Sequence, residues 1–217
     1  MTDWFKIFSD KDAAIGEVIS SSHVGFQVQS YRYEYAYTPE YGSILVTNCD
    51  THLTIGVVVG TKIEPAPGLP SVPVPLKATR SEIRQKYPDL EGRFIDVYDA
   101  VTIGYYASGR FYQSRPRRKP LIHDLVYIPG SEFIEEFHFS SGSSMDYLPI
   151  LVSAVSVDEL KVFLEIYLNY LIDKLGEEKR YLLFEAFSSA AAKYFGDDVV
   201  DLLLEIGEKV FLGVEQR

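Results

Sequence analysis

The stretch 99–129, DAVTIGYYASGRFYQSRPRRKPLIHDLVYIP, decides how this chain is read. Two apolar runs, AVTIGYY and LVYI, flank a turn at Ser108-Gly109 and the most basic run of the sequence, Arg115, Arg117, Arg118 and Lys119. Short runs of β-branched and aromatic residues bounded by turn residues are strand sequence. The stretch therefore reads as a strand, a charged rim and a second strand.

Working outward toward the N terminus, the same texture fills Ala14 to Ile63 as AIGEVIS, VGFQVQSY, YEYAYT, SILVTN and LTIGVVVGTKI. Alternation places Val24, Phe26 and Val28 on one face, with Gln27 and Gln29 on the other. Short strands at this spacing predict a small closed antiparallel barrel, and Gly16, Gly56 and Gly60 fall where barrel closure calls for bends or bulges. Between the strands, residues 64–75 carry prolines at 65, 67, 70, 73 and 75, which withhold ladder hydrogen bonds and predict an extended excursion. Thr79 to Tyr87 predicts a short helix stopped before Pro88, and strand sequence resumes at Arg93.

Toward the C terminus, residues 130–144 change style and include the loop-like SGSS at 141–144. Beyond Asp146 the apolar period becomes that of a helix. Ser156 and Glu159 have the spacing of a capping box; Leu160, Phe163, Leu164, Tyr167, Leu168 and Leu171 then fall on one stripe, ended by Gly176. A second helix is expected from about Glu177 to Phe195, closed by Gly196. A third runs from Asp197-Asp198 to near Gly213, with Leu202, Leu203, Ile206 and Val210 available for burial. The expected architecture is α+β, a barrel domain over residues 1–140 followed by a three-helix bundle over residues 145–217.

Of the 217 residues, 47% are hydrophobic and 24% charged, the balance of a globular chain with a substantial core. No apolar run approaches the roughly 20 residues that span a bilayer, and the N terminus lacks a basic head followed by an apolar segment, so a cytoplasmic location and no membrane partner are expected. The net charge of −10 opposes non-specific attraction to nucleic acid. It is unevenly spread: residues 1–140 carry 14 Lys/Arg against 17 Asp/Glu, and residues 141–217 carry 7 against 14. Cys49 is the single cysteine, unable to form an internal disulfide or a cysteine metal site and expected to sit half-buried beside a turn.

Taken in order over residues 14–137, IGEVISSS, YGSILVTN, LTIGVVV, DAVTIGYY, SRPRRKP and HDLVYIPGSEFI resemble the HAS barrel, which stands at the N terminus of archaeal HerA translocases and is named for its occurrence in HerA and the ATP synthases. The resemblance implies a barrel that packs against like barrels or caps a HerA-type hexameric ATPase, in DNA processing and repair. The motor itself would need G-x-x-x-x-G-K-[ST], whose backbone and lysine hold phosphates. The nearest fragment, Gly56–Lys62 (GVVVGTK), has its lysine displaced by one and no Ser/Thr behind it. The chain resembles a barrel without its motor.

Two features stand out as candidate contact sites. Arg115, Arg117, Arg118 and Lys119 can hold an acidic partner surface or phosphates, although six to ten phosphate contacts are usual for autonomous DNA binding; a solvated turn, or ion pairs to the acidic helical part, is the plainer reading. Tyr31, Tyr33, Tyr35 and Tyr37, spaced by two, would line one strand face able to stack bases or to form a protein interface. His23, His52, His123 and His138 share no metal-ligand spacing, and His123 and Asp124 would point to opposite faces of a strand. The acidic pairs Asp96/Asp99, Glu135/Glu136 and Asp197/Asp198 read as surface charge, the last as helix caps. No cofactor, no metal and no enzymatic activity are expected. The expected role is an assembly or accessory protein that meets a protein partner, itself or a HerA-type ATPase, with direct nucleic-acid binding as the alternative.

Overall fold

The structure, a computed structural model, describes residues 2–31, 38–66, 68, 76–86, 88, 94–140 and 142–213. Its strands are β1 (Gly16–Ser21), β2 (Gly25–Ser30), β3 (Ile44–Asn48), β4 (Leu53–Pro65), β5 (Phe94–Ala107), β6 (Arg110–Tyr112) and β7 (Leu125–Tyr127). Six of them pair in the ring β2-β1-β7-β3-β4-β5, which closes where β5 returns to β2, and every pairing is antiparallel. Closure leaves the ring without an unpaired edge. β6 lies outside the ring as the return of a hairpin from β5. Its two turn residues, Ser108 (φ 51°) and Gly109 (φ 77°), both take the left-handed backbone that matches strand twist in a two-residue hairpin.

All six ring strands fill the lumen, with Val18, Phe26, Val28, Leu45, Val58, Tyr98, Ala100 and Val126 buried against one another. Gly56 makes room for this packing, since a Cβ there would lie 2.8 Å from the Phe26 ring. β4 and β5 shift register at the Ile55/Gly56 and Val58/Gly60 steps, the bulges expected of a tightly curved barrel. Val24 does not join Phe26 and Val28; it stands exposed in the β1–β2 turn. Asp96, read as surface charge, is buried within β5, and desolvation raises its carboxyl above the usual range. The GVVVGTK fragment lies inside β4.

The outer faces of β3, β4, β5 and β7 are covered by helices: α1 (Trp4–Ile7), α3 (Ser131–Phe139), α4 (Leu148–Ala154), α5 (Val157–Leu175), α6 (Arg180–Tyr194) and α7 (Asp197–Gly207), while α2 (Arg80–Lys86) lies in the connection from β4 to β5. Of the proline-rich stretch 64–75, Glu64 and Pro65 belong to β4, and residues 67 and 69–75 lie outside the described residues. Ile44, Val46, Ile55, Val57, Ile103 and Tyr127 enter one continuous core with Phe133, Phe137, Tyr147, Phe163, Tyr167 and Phe187. Gly104 of β5 admits α3 closely, because a Cβ there would lie 2.6 Å from the Phe137 ring. β1 and β2 contribute to the lumen alone, so their outer face is left bare of this helical layer.

The α5 stripe is buried as its spacing predicts and ends at Gly176 (φ 88°). Several local expectations are corrected. Ser156 is the N-cap of α5, but its hydroxyl donates to the Glu159 carboxylate (2.9 Å) rather than accepting from a helical N–H. Gly196 caps α7, and Asp197 and Asp198 occupy its first turn, where they complement the helix dipole. The aromatic-rich segment after Gly130 forms α3, whose Phe133, Ile134 and Phe137 share a buried face; α1 and α4 are likewise additional helices. Thr79 and Glu82 form a reciprocal cap at the start of α2, in which the carboxylate accepts from the Thr79 N–H and hydroxyl at 2.7 Å.

A buried chain of hydrogen bonds ties the helical layer together. His138 Nδ1 faces the Ile134 carbonyl (2.7 Å) and must donate to it, so Nε2 accepts from the Tyr147 hydroxyl (2.7 Å), which accepts in turn from Tyr167 (2.7 Å). Burial pushes the imidazole down to about 4, keeping it neutral. Among the described residues no helix is long and apolar enough to cross a membrane.

Candidate functional site

The basic run lies in the connection from β6 to β7, where it passes from the β3–β4 turn to the end of β1. Pro116 and Pro120 are buried and bracket the exposed Arg117, Arg118 and Lys119, with Arg115 exposed just before them. Side-chain hydrogen bonds to backbone carbonyls anchor the segment. His52 Nε2 donates to the Arg118 carbonyl (3.1 Å), Ser21 Oγ donates to the Pro120 carbonyl, and Lys119 Nζ reaches the Ser21 carbonyl (3.2 Å). With that bond made, and burial holding its ring below the usual histidine range, His52 is a neutral structural donor. The path then runs antiparallel beside β1, His123 N–H meeting the Val18 carbonyl (2.9 Å) and Val18 N–H the Asp124 carbonyl (3.0 Å).

A tight turn ends the run. Asp124 accepts from the Leu121 N–H (2.7 Å), and His123 takes a left-handed backbone (φ 75°). His123 therefore sits in a turn rather than in the expected strand. Its Nδ1 lies 2.7 Å from Glu17, whose other oxygen accepts from the Tyr31 hydroxyl (2.6 Å). These two bonds, Tyr31 first, hold the Glu17 carboxyl below the usual range. Burial, reinforced by Glu17, raises the Tyr31 hydroxyl. Glu17 thus joins Tyr31 to the segment that follows the basic run, bringing two features together that are far apart in sequence. Tyr31 itself lies one residue past β2, and Tyr33, Tyr35 and Tyr37 fall outside the described residues.

Around this path the surface is apolar as well as cationic. Leu121 and Ile122 are 65% and 60% exposed, and Ile19 is turned out by a bulge in β1 between Val18 and Ser20. Sequence reasoning passed over these three side chains; the signal was an apolar Leu-Ile pair inside an otherwise polar turn. None of Arg115, Arg117, Arg118 and Lys119 is ion-paired to a carboxylate among the described residues. The fold therefore anchors the backbone and leaves the three arginines exposed, with Lys119 exposed but bonded to the Ser21 carbonyl.

An open cleft of about 250 Å³ adjoins the turn, lined by Ser9, Asn48, Asp50, His123, Asp124 and neighbouring apolar side chains. Cys49 nearby is half-buried, as expected, and burial pushes its thiol up to about 12, so it is protonated at neutral pH. No cluster of three or more His, Cys, Asp or Glu side chains able to hold a metal ion is present among the described residues. Other charges predicted to be plain surface have structural partners: Glu136 accepts from Trp4 Nε1 (3.0 Å), Glu135 pairs with Lys179 (2.7 Å) and Asp99 accepts from Gln27 (2.7 Å). His23 is exposed in the β1–β2 turn.

No protein-family model matches the chain, and no curated protein matches it.

Proposed function

We propose that this chain is a non-catalytic assembly protein whose barrel offers its bare flank to a protein partner, either another copy or a HerA-type hexameric ATPase engaged in DNA processing in the cytoplasm. In this reading α5, α6 and α7 act as a three-helix bundle that braces the other flank. The carrying observation is the rim: four exposed cations without carboxylate partners among the described residues, on an anchored backbone beside exposed Leu121 and Ile122. An apolar centre edged by arginine is the composition of protein interfaces. The packed lumen supports the same reading, since small-molecule sites are concave and this barrel is filled by side chains. Size-exclusion chromatography with light scattering, alone and with a HerA-type ATPase, is expected to give a complex. A monomer that binds neither overturns the proposal.

Direct nucleic-acid binding is the second reading, supported by the same unpaired arginines, which match phosphate as well as carboxylate. It requires salt-dependent binding of single- or double-stranded DNA that Arg117→Glu/Arg118→Glu abolishes. Absence of binding at low salt removes it.

A further inference from the structure

We infer that the basic, apolar rim of one copy receives the acidic, apolar stripe of α6 from a second copy, in a head-to-tail contact; the inference rests on the assembly reading and names its surfaces. The exposed face at the start of α6 carries Tyr181, Leu182 and Glu185, with Tyr181 and Leu182 four and three residues before Glu185 and hence on its side of the helix, and Glu178 is exposed in the 3-10 turn just before it. Tyr181 is 71% exposed and Leu182 37% exposed. Neither glutamate forms an ion pair among the described residues, although the neighbouring Glu177, Lys179 and Arg180 all do. The stripe is an apolar pair between two free carboxylates.

The rim is its counterpart, with exposed Ile19, Leu121 and Ile122 and the exposed cations Arg117, Arg118 and Lys119, none of them paired to a carboxylate among the described residues. Arginine forks match carboxylates in geometry, and a Tyr-Leu pair set against Leu-Ile supplies the desolvated centre that carries interface energy. Within one chain no hydrogen bond or ion pair joins the two surfaces among the described residues. They belong to different parts of the fold, the bare β1 flank and the helical layer. Charge complementarity selects a second copy, since positive residues concentrate at the rim and the segment after residue 140 carries a net −7. Because the two patches differ, the contact is heterologous and propagates into a ring where the rotation closes.

The test is light scattering of the full chain over a range of concentrations at low salt. Wild type is expected to associate, and added salt to weaken the association. Arg117→Glu/Arg118→Glu and, separately, Glu178→Lys/Glu185→Lys are each expected to weaken it at least about tenfold. Mixing the two variants is expected to restore it, because each supplies the surface that complements the other. Association that survives the α6 reversals overturns this contact while leaving the assembly reading in place. A wild type that is monomeric throughout also overturns it, and binding to a HerA-type ATPase then decides the broader reading separately.

Discussion

The two flanks of the barrel use charge in opposite ways. On the helix-covered flank every described cation beyond residue 140 has a partner. Lys161 pairs with Glu205, Lys179 with Glu135, Arg180 with Glu177, Lys193 with Asp146 and Lys209 with Glu165, while Lys174 lies over the Tyr170 ring. In the β6–β7 connection Arg115, Arg117, Arg118 and Lys119 are exposed with no carboxylate partner among the described residues. One set of charges is paired within the fold, and the other lies exposed on a backbone anchored by hydrogen bonds. The surface proposed to meet a partner is thus distinct from the helical layer whose ion pairs stabilise the fold.

The sharpest way to break this contrast is to truncate matched apolar residues on the two flanks. Phe133 is fully buried, touching the rings of Trp4, Phe8 and Phe111 at centroid distances of 5.0–5.1 Å. Phe133→Ala should cost about 3–5 kcal/mol in urea denaturation. Leu121→Ala, on the bare flank, should stay within about 0.5 kcal/mol. Equal costs would erase the distinction.

Acid should act through the covered flank next. His138 is held neutral at about 4 in the fold against 6.5 when unfolded, so the unfolded chain takes up a proton between those values. The stabilisation is complete above pH 6.5 and drains as pH falls toward 4, on the order of 3 kcal/mol over the window. Urea midpoints measured across that range should fall with pH, and His138→Gln should flatten the slope.

Smaller effects sharpen the picture. Gly104→Ala sets a Cβ against Phe137 and the Tyr112 carbonyl, both 2.6 Å away, and should destabilise by about 1–3 kcal/mol in the same assay. Lys193→Met removes the exposed pair with Asp146 (3.0 Å) and should cost less than about 1 kcal/mol.

The barrel was readable because its strands carry β-branched residues between Gly, Pro, Ser and Asn breaks, and α5 because six apolar residues keep one helical face. α3 escaped because SEFIEEFHF is aromatic-rich and follows strand sequence directly, although Phe133, Ile134 and Phe137 already have helical spacing. Asp96 looked like surface charge because composition cannot say which face of β5 turns inward, and burial decided it. At the rim the cations were visible, but Glu17, His52 and Ser21, which fix its backbone and its neighbour Tyr31, lie 66 to 106 residues away in sequence from the groups they bind there, or 14 for Tyr31. Only the folded register brings them together.

The bare flank's role is tested most directly by light scattering of wild type and Arg117→Glu/Arg118→Glu at low salt, each paired with a urea denaturation curve. The expected result is an associating wild type, alone or with a HerA-type ATPase, and a non-associating variant whose stability lies within about 0.5 kcal/mol of wild type. A wild type that remains monomeric in both settings, or a variant that associates as wild type does, would contradict it.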